Sequence, residues 1–187
     1  MQPGKFTGLD INPFNINLAN TINGSHQNLR FLVDDAQQLK NIPDNSVDVF
    51  LCIESAFHYP DKQKFIKEMR RVLKPSGTFL IADLLASSRK KRYFLERWKK
   101  KMNFHHWTKE EYLQAFKEQG LKLTYDENIT KPVIDGYTDF GSWVPQNKFK
   151  YYTGYLWYKL FVLIQVKVNI YLLKKRRHYY VFAGKIG

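Results

Sequence analysis

Residues 47–85 read VDVFLCIESAFHYPDKQKFIKEMRRVLKPSGTFLIADLL. The opening run, 47–53, is almost unbroken apolar, the pattern of a strand buried on both faces of a parallel sheet. The period then changes. Over 61–74, Phe65, Ile66, Met69, Val72 and Leu73 fall on one helical face, and Lys62, Lys64, Lys67, Arg70 and Arg71 lie on the opposite one. Pro75 and Gly77 are placed to stop that helix. A second apolar run follows at 78–85. Strand, amphipathic helix, turn and strand make a βαβ unit, whose crossover is expected to be right-handed. Ligands of such sheets bind beyond the carboxyl ends of the strands. Those ends are Glu54-Ser55-Ala56-Phe57-His58 and Ala82-Asp83, and both carry polar groups.

Upstream, 5–11 reads as a short strand ending in an acid, Asp10. Asn12 suits the cap of a following helix and Pro13 its first position. Phe14, Ile16, Leu18 and Ile22 give that helix a weak apolar face, and Gly24 is a plausible stop. Residues 29–33 read as a strand followed by Asp34-Asp35-Ala36. Ile42-Pro43-Asp44-Asn45-Ser46 is dense in turn formers and delivers the chain to Val47. The order so far is that of a doubly wound sheet.

Downstream, 87–102 is basic, with Phe94, Leu95, Trp98 and Met102 as a narrow stripe. This reads first as a docked surface helix and second as a lid or membrane-facing segment. His105 and His106 lack partners at metal-ligand spacing, which argues against a metal site. Thr108 with Glu111 is a capping box opening a helix whose buried face is Tyr112, Leu113 and Phe116, and Gly120 ends it. Residues 121–125 alternate as a strand. Residues 132–154, rich in glycine, proline and aromatics, read as a loop. Residues 155–173 are the most apolar stretch. Lys159, Gln165, Lys167 and Asn169 interrupt it, so a buried helix fits better than a membrane span of about 20 residues, and an interfacial helix comes second. Lys174-Lys175-Arg176-Arg177 favours that helix's C-terminus, and 179–183 reads as a closing strand.

The chain has 187 residues, 44% apolar and 25% charged, which suits one folded domain. A formal net charge of +13 implies attraction to something anionic, or simply a solvated basic surface. Cys52 is the lone cysteine, so no internal disulfide forms. Inside an apolar strand it reads as a core residue. The N-terminus lacks a signal peptide's apolar core, and a reducing cytoplasm is expected, with peripheral membrane contact as an option.

Four motifs in sequence resemble class I S-adenosylmethionine-dependent methyltransferases of the small-molecule branch. Gly8-Leu9-Asp10-Ile11 is similar to the family's second strand with its acidic end. Asp35-Ala36 with 42–48 is similar to the "DA…LP…D…S.D" segment, and 54–61 to the segment after strand four. Residues 68–77 are similar to "E..RVLKPGG", with Ser76 in place of a glycine. The good match covers 6–85; beyond it element order agrees.

The resemblance implies an α/β fold: a Rossmann-like, doubly wound, mostly parallel sheet in the order 3-2-1-4-5-7-6, its last strand antiparallel. Residues 1–85 would be the cofactor-binding half and 86–187 the substrate-side half of one domain. It implies S-adenosylmethionine as cofactor. Asp10 would accept from the ribose hydroxyls, Ile11 face the adenine and Asp35 take the adenine amino group with Ala36 beside it. Glu54 and Ser55 would lie near the methionine part. Plainer roles stand beside these: Asp10 can cap the Asn12 helix, and Asp35 a turn. Methyl transfer calls mainly for positioning and proton removal. His58, just past a strand end, is the candidate general base, with packing against the pocket as its plainer role.

One departure stands out. The family's first strand and its Gly-x-Gly loop should precede Phe6, where five residues stand, and no Gly-x-Gly occurs in the chain. The first strand is thus expected to be missing, as in a fragment, a truncated product or a degenerate relative. The expected function is methyl transfer to a small, lipophilic molecule, the aromatics after Tyr137 lining its pocket. A non-catalytic scaffold or partner-binding relative is the alternative. A nucleic-acid enzyme fits less well, because 54–57 is not the Asp/Asn-Pro-Pro-Tyr type that stacks on a flipped base.

Overall fold

The computed structural model describes residues 4–88, 103–143 and 155–187. Strand β1 (Phe6–Asp10) leads to helix α1 (Pro13–Asn23), and β2 (Leu29–Val33) returns parallel to β1. Strand β3 (Val47–Ile53), a turn at Ala56–His58, helix α2 (Lys62–Val72) and strand β4 (Leu73–Ala86) form the expected parallel βαβ unit. Helix α3 (Lys109–Glu118), strand β5 (Leu121–Asn128), helices α4 (Thr130–Trp143) and α5 (Tyr155–Lys175) and strand β6 (Arg177–Ile186) complete the chain. Strand β6 runs antiparallel between β4 and β5. The described strands form two sheets, β1-β2 and β3-β4-β6-β5. This is an α/β, Rossmann-like arrangement with an antiparallel last strand, and the sheet is divided between β1 and β3.

The local rules explain most elements. The side chain of Asn12 accepts from Phe14 N at 2.9 Å and Pro13 opens α1. Asp61 caps α2 by accepting from Lys64 N. Helix α2 stops at Val72 rather than at residue 74. Pro75 disfavours helical backbone at Lys74, and Leu73 is already extended and pairs with Val47. Strand β4 therefore begins earlier than residue 78. Strands β5 and β6 likewise run longer than 121–125 and 179–183, because they pair with each other over most of their length. The capping box of α3 is present in both directions. That helix buries Tyr112, Ala115 and Phe116, whereas Leu113 is exposed. Gly120 takes φ +63°, the left-handed conformation that ends the helix and that glycine adopts most easily.

The core lies on one side of the larger sheet. Phe65, Ile66 and Met69 of α2 meet Phe79 and Ile81 of β4, Tyr112 and Phe116 of α3, and Phe182 of β6. A smaller cluster on Ala82, Leu173 and Tyr179 receives Val133, Ile134 and Tyr137 of α4.

Several expectations are overturned. Strand β3 is not buried on both faces: Cys52 packs inward, but Val49, Leu51 and Ile53 are 58–62% exposed. In α1 only Ile16 is buried; Phe14, Leu18 and Ile22 face outward. Lys62 does not join the solvent face of α2. It is buried and its ammonium donates to the carbonyl of His105. The segment 132–154 is not a loop where it is described, because Thr130–Trp143 is helical. Pro132 stands in the first turn, where its missing N–H costs little. Gly141 lets α4 approach α5: a Cβ there would lie 3.1 Å from Val166 Cγ1. The helix at 155–173 exists but is not buried, with Val166, Leu172 and Leu173 inside and a row of large apolar residues outside. The expected basic helix at 87–102, from residue 89 on, and residues 144–154 lie outside the described residues.

Candidate active site

The carboxyl ends of β1, β2 and β3 carry Asp10, Asp34 and Glu54, and Asp83 lies within β4 just past its last residue paired with β3. The backbone joins the first two ends, as Asp34 N donates to the Asp10 carbonyl at 3.1 Å. Both carboxylate oxygens of Asp10 are engaged, Oδ1 accepting from Asn12 N and Oδ2 from Asn15 Nδ2, each at 2.8 Å. The capping role is thus real. Each oxygen keeps a second lone pair, so the carboxylate can still accept from a diol. Ile11, beside it, is largely exposed and offers an apolar face.

Asp34 and Asp35 divide the labour of the next turn. Asp34 is buried and accepts from the backbone of Asp35, Lys40 and Asn41, so it builds the loop. Asp35 accepts from Gln37 N at 2.9 Å and from the side-chain amides of Gln37 and Gln38. Burial pushes its pKa up, but those hydrogen bonds and the charge of Lys64 outweigh it, leaving Asp35 below the usual value. Ala36 packs at the margin of the main core. Gln37 Oε1 accepts from Asp61 N at 2.8 Å, which brings the Asp35-Ala36 turn against the segment after β3.

Arg71 explains two of the sequence motifs as architecture. Its guanidinium donates to the carbonyls of Leu39 and Ile42 and pairs with Glu68 and Asp44. The motif at 68–77 is thereby clamped to the turn at 39–44, and it holds the Asp35 turn in register rather than touching a ligand.

Glu54 stands at the end of β3 with φ +56°, a conformation uncommon for a residue with a side chain. Its N–H donates to the Ala82 carbonyl, which fixes the turn. Near its carboxylate lie two phenols that the sequence pattern did not single out. Burial and the Glu54 carboxylate push Tyr179 and Tyr137 upward. Arg177 is buried near Tyr137, and burial brings it down to about 10 against the favourable charge of that phenol. These residues come from α4 and β6, far in sequence from Glu54, so no local motif could mark them. Ser55 hydrogen-bonds the Tyr59 hydroxyl at 2.6 Å.

His58 is exposed, stacked near Phe57 and Phe104 with ring centres 4.4 and 5.3 Å away. Its Nδ1 lies 3.3 Å from the Asn103 carbonyl. A proton on Nδ1 would go to that carbonyl and leave Nε2 as the basic nitrogen. Beneath it Asp83 is fully buried. Tyr112 donates to its Oδ2 at 2.6 Å, while Oδ1 has no hydrogen-bond partner. Burial raises the Asp83 carboxyl to about 6, against the Tyr112 hydrogen bond and the Lys62 charge. Cys52 is buried, with its thiol raised to about 12 by burial and by Asp83, which removes it as a nucleophile. The expected residues thus fall in two groups, Asp10, Asp35 and Ala36 at the ends of β1 and β2, and Glu54, Ser55 and His58 after β3 in the other sheet.

Known proteins resemble this chain in sequence over its first part and in fold over nearly all of it. Residues 1–81 match the family model described as a methyltransferase domain. A 2-methyl-6-phytyl-1,4-hydroquinone methyltransferase of Synechocystis sp. is 40% identical over 77 residues, 41% of this chain and 24% of that protein. A fatty-acid O-methyltransferase of Mycolicibacterium smegmatis is 35% identical over 99 residues, 53% of this chain and 34% of that protein. The aligned part thus spans a quarter to a third of these curated relatives. Among solved structures, a phosphoethanolamine N-methyltransferase 2 of Haemonchus contortus in complex with S-adenosyl-L-methionine superposes with a TM-score of 0.84 at 16% identity. That match covers 96% of this chain and 42% of the other. A geranyl diphosphate C-methyltransferase of Streptomyces coelicolor superposes at 0.77 and 14% identity, over 98% and 63%. Residues 1–81 are thus similar in sequence to methyltransferase domains, and the chain shares the fold of these solved methyltransferases.

Proposed function

We propose that this chain serves S-adenosylmethionine-dependent methyl transfer to a small, lipophilic acceptor. The observation that carries the reading is the match of residues 1–81 together with acids standing at the carboxyl ends of consecutive parallel strands. The named relatives act on a phytyl hydroquinone and on fatty acids, which supports a lipophilic acceptor.

Residues 1–85 would hold the cofactor and 86–187 the acceptor. The cofactor supplies an electrophilic methyl group on a sulfonium. Asp10 would accept from the ribose hydroxyls, Ile11 would face the adenine, and Asp35 with Ala36 would take its amino group. Glu54 and Ser55 would serve the methionine part. His58 Nε2 takes the proton that the acceptor loses, and the Asn103 carbonyl holds the ring in place. The basic charge and the absence of disulfides support a cytoplasmic protein drawn to anionic membrane surfaces.

A second reading, a methyltransferase-like scaffold without catalysis, is favoured by one observation: among the described residues β1 and β3 are not paired and the strand ends fall in two sheets. Titration calorimetry with S-adenosylmethionine separates the two. Under the catalytic reading the 187-residue chain binds, weakly but measurably, and Asp10→Ala weakens binding further by about 2–4 kcal/mol, the worth of charge-assisted hydrogen bonds to a diol. Equal affinity in both proteins would take Asp10 out of the site. No heat with either would favour the scaffold.

A further inference from the structure

Helix α5 is apolar on two sides. One side faces the protein through Val166, Leu172 and Leu173. The other carries Trp157, Phe161, Ile164, Val168 and Tyr171, separated by four and three residues in turn, so they form a single stripe. All five are exposed, Trp157 at 78% and Phe161 at 58%, and Leu160 is exposed beside them. The stripe is about 21 Å long at 1.5 Å per residue. A helix on a protein surface ordinarily turns polar residues outward, and a continuous apolar patch marks a contact surface.

The charges around it indicate the partner. Lys167 and Lys174, two turns apart and both exposed, flank one side of the stripe, and Lys175 closes its end. The helix contains no aspartate or glutamate, and the chain carries a net charge of +13. Lysines bordering exposed tryptophan, phenylalanine and tyrosine are the pattern of a helix lying in a lipid interface, with rings among the acyl chains and ammonium groups at the phosphates. A second copy set stripe against stripe would instead add like charge to like. Among the described residues no helix is long and apolar enough to cross a membrane.

We propose that the exposed stripe of α5 docks this protein on an anionic membrane surface. This deepens the reading of a lipophilic acceptor and rests on it for its purpose. Helix α5 runs directly into β6, whose Tyr179 stands by Glu54. A docked α5 therefore brings the acceptor side of the site close to molecules dissolved in the bilayer.

The test is co-sedimentation of the 187-residue chain with vesicles of phosphatidylcholine alone or with about 30% phosphatidylserine. The chain is expected to pellet with the anionic vesicles at least tenfold better than with the neutral ones, and to be released as salt rises. Trp157→Ser with Phe161→Ser should abolish the pelleting, and Lys167→Glu with Lys174→Glu should reduce it to the neutral level. All four side chains are at the surface, so thermal melts followed by circular dichroism should be unchanged. Undiminished pelleting of the Trp157→Ser, Phe161→Ser protein would overturn the proposal. So would a concentration-dependent dimer of the parent chain that this double variant dissolves. Cofactor titration on the same preparations keeps the two readings apart. A chain that pellets but binds no S-adenosylmethionine keeps the surface and loses the transfer reading, and the converse keeps the transfer reading and loses the surface.

Discussion

The phenol of Tyr112 donates to Asp83 Oδ2 across 2.6 Å, and neither side chain reaches solvent. This bond joins α3 to the end of β4 beneath the candidate site. Burial raises Asp83 from an ordinary 3.8 to about 6. An acid whose folded pKa lies above its unfolded one makes the folded state the better proton binder. Stability is therefore highest below about pH 4 for this group and is lost as pH rises through 6. Asp83→Asn keeps an acceptor for Tyr112 and removes the buried charge. It should raise stability at pH 7 relative to the parent by roughly 2–3 kcal/mol, a gain that shrinks toward zero at pH 4. Urea unfolding at both pH values checks this; a stability difference independent of pH would show that folding leaves the Asp83 carboxyl at its ordinary pKa.

Thr108 carries a second, independent prediction. Its hydroxyl accepts from Glu111 N and the Glu111 carboxylate accepts from Thr108 N at 2.8 Å. Thr108→Ala removes half of this box and should cost about 1 kcal/mol in urea unfolding. Helix α3 covers the core through Tyr112 and Phe116, so the loss should appear in global unfolding rather than as fraying alone. A cost near zero would mean that Glu111 alone suffices.

Where a residue's structural reason is local, it was legible in the chain. Asn12 and Thr108 cap the helices they precede, and the run at 47–53 is a strand, because caps and periodicity act over a few residues. What was not legible depends on distant partners. Pro132, Gly136 and Gly141 look like a loop until α5 provides a surface that a glycine-bearing helix can approach closely. Lys62 sits at a solvent-face position of α2, yet the His105 carbonyl and the Asp83 carboxylate draw it inward. The acids of the site could be found because each follows an apolar strand. Tyr137 and Tyr179 could not, since only the packing of α4 and the antiparallel return of β6 bring them to Glu54.

His58 offers a kinetic prediction within the proposed transfer. Its ring stands between Phe57 and Phe104 and is exposed on its remaining edge. His58→Gln preserves size and polarity but cannot take a proton. If His58 is the base, kcat should fall by about 10²–10⁴ while the affinity for S-adenosylmethionine is unchanged. A loss confined to cofactor affinity would assign the ring to packing instead.

The divided sheet gives the last prediction. Strand β1 pairs with β2 and β3 with β4, and among the described residues neither β1 nor β3 has a partner on its other edge. Phe6, Val49, Leu51 and Ile53 are exposed beside those edges. A parallel pair of strands is marginal alone, so β1-β2 depends on its ties to the rest: the Gln37–Asp61 hydrogen bond and the Arg71 clamp on the 39–44 turn. Amide hydrogen exchange should therefore be fast in β1 and β2 and slow in β4 and β6, which lie between neighbours on both sides. Asp10 and Asp35 sit on the mobile unit and Glu54 on the firm one. A cofactor spanning them must fix one against the other, and its affinity falls by that ordering cost. Residues 1–187 by themselves should accordingly bind S-adenosylmethionine weakly. Fusing a strand, a Gly-x-Gly loop and an amphipathic helix ahead of Met1 should fill both edges, slow exchange in β1 and β2 and tighten binding together. Tight binding by the 187-residue chain, or protection of β1 equal to that of β4 without the added strand, would show that the two sheets already act as one.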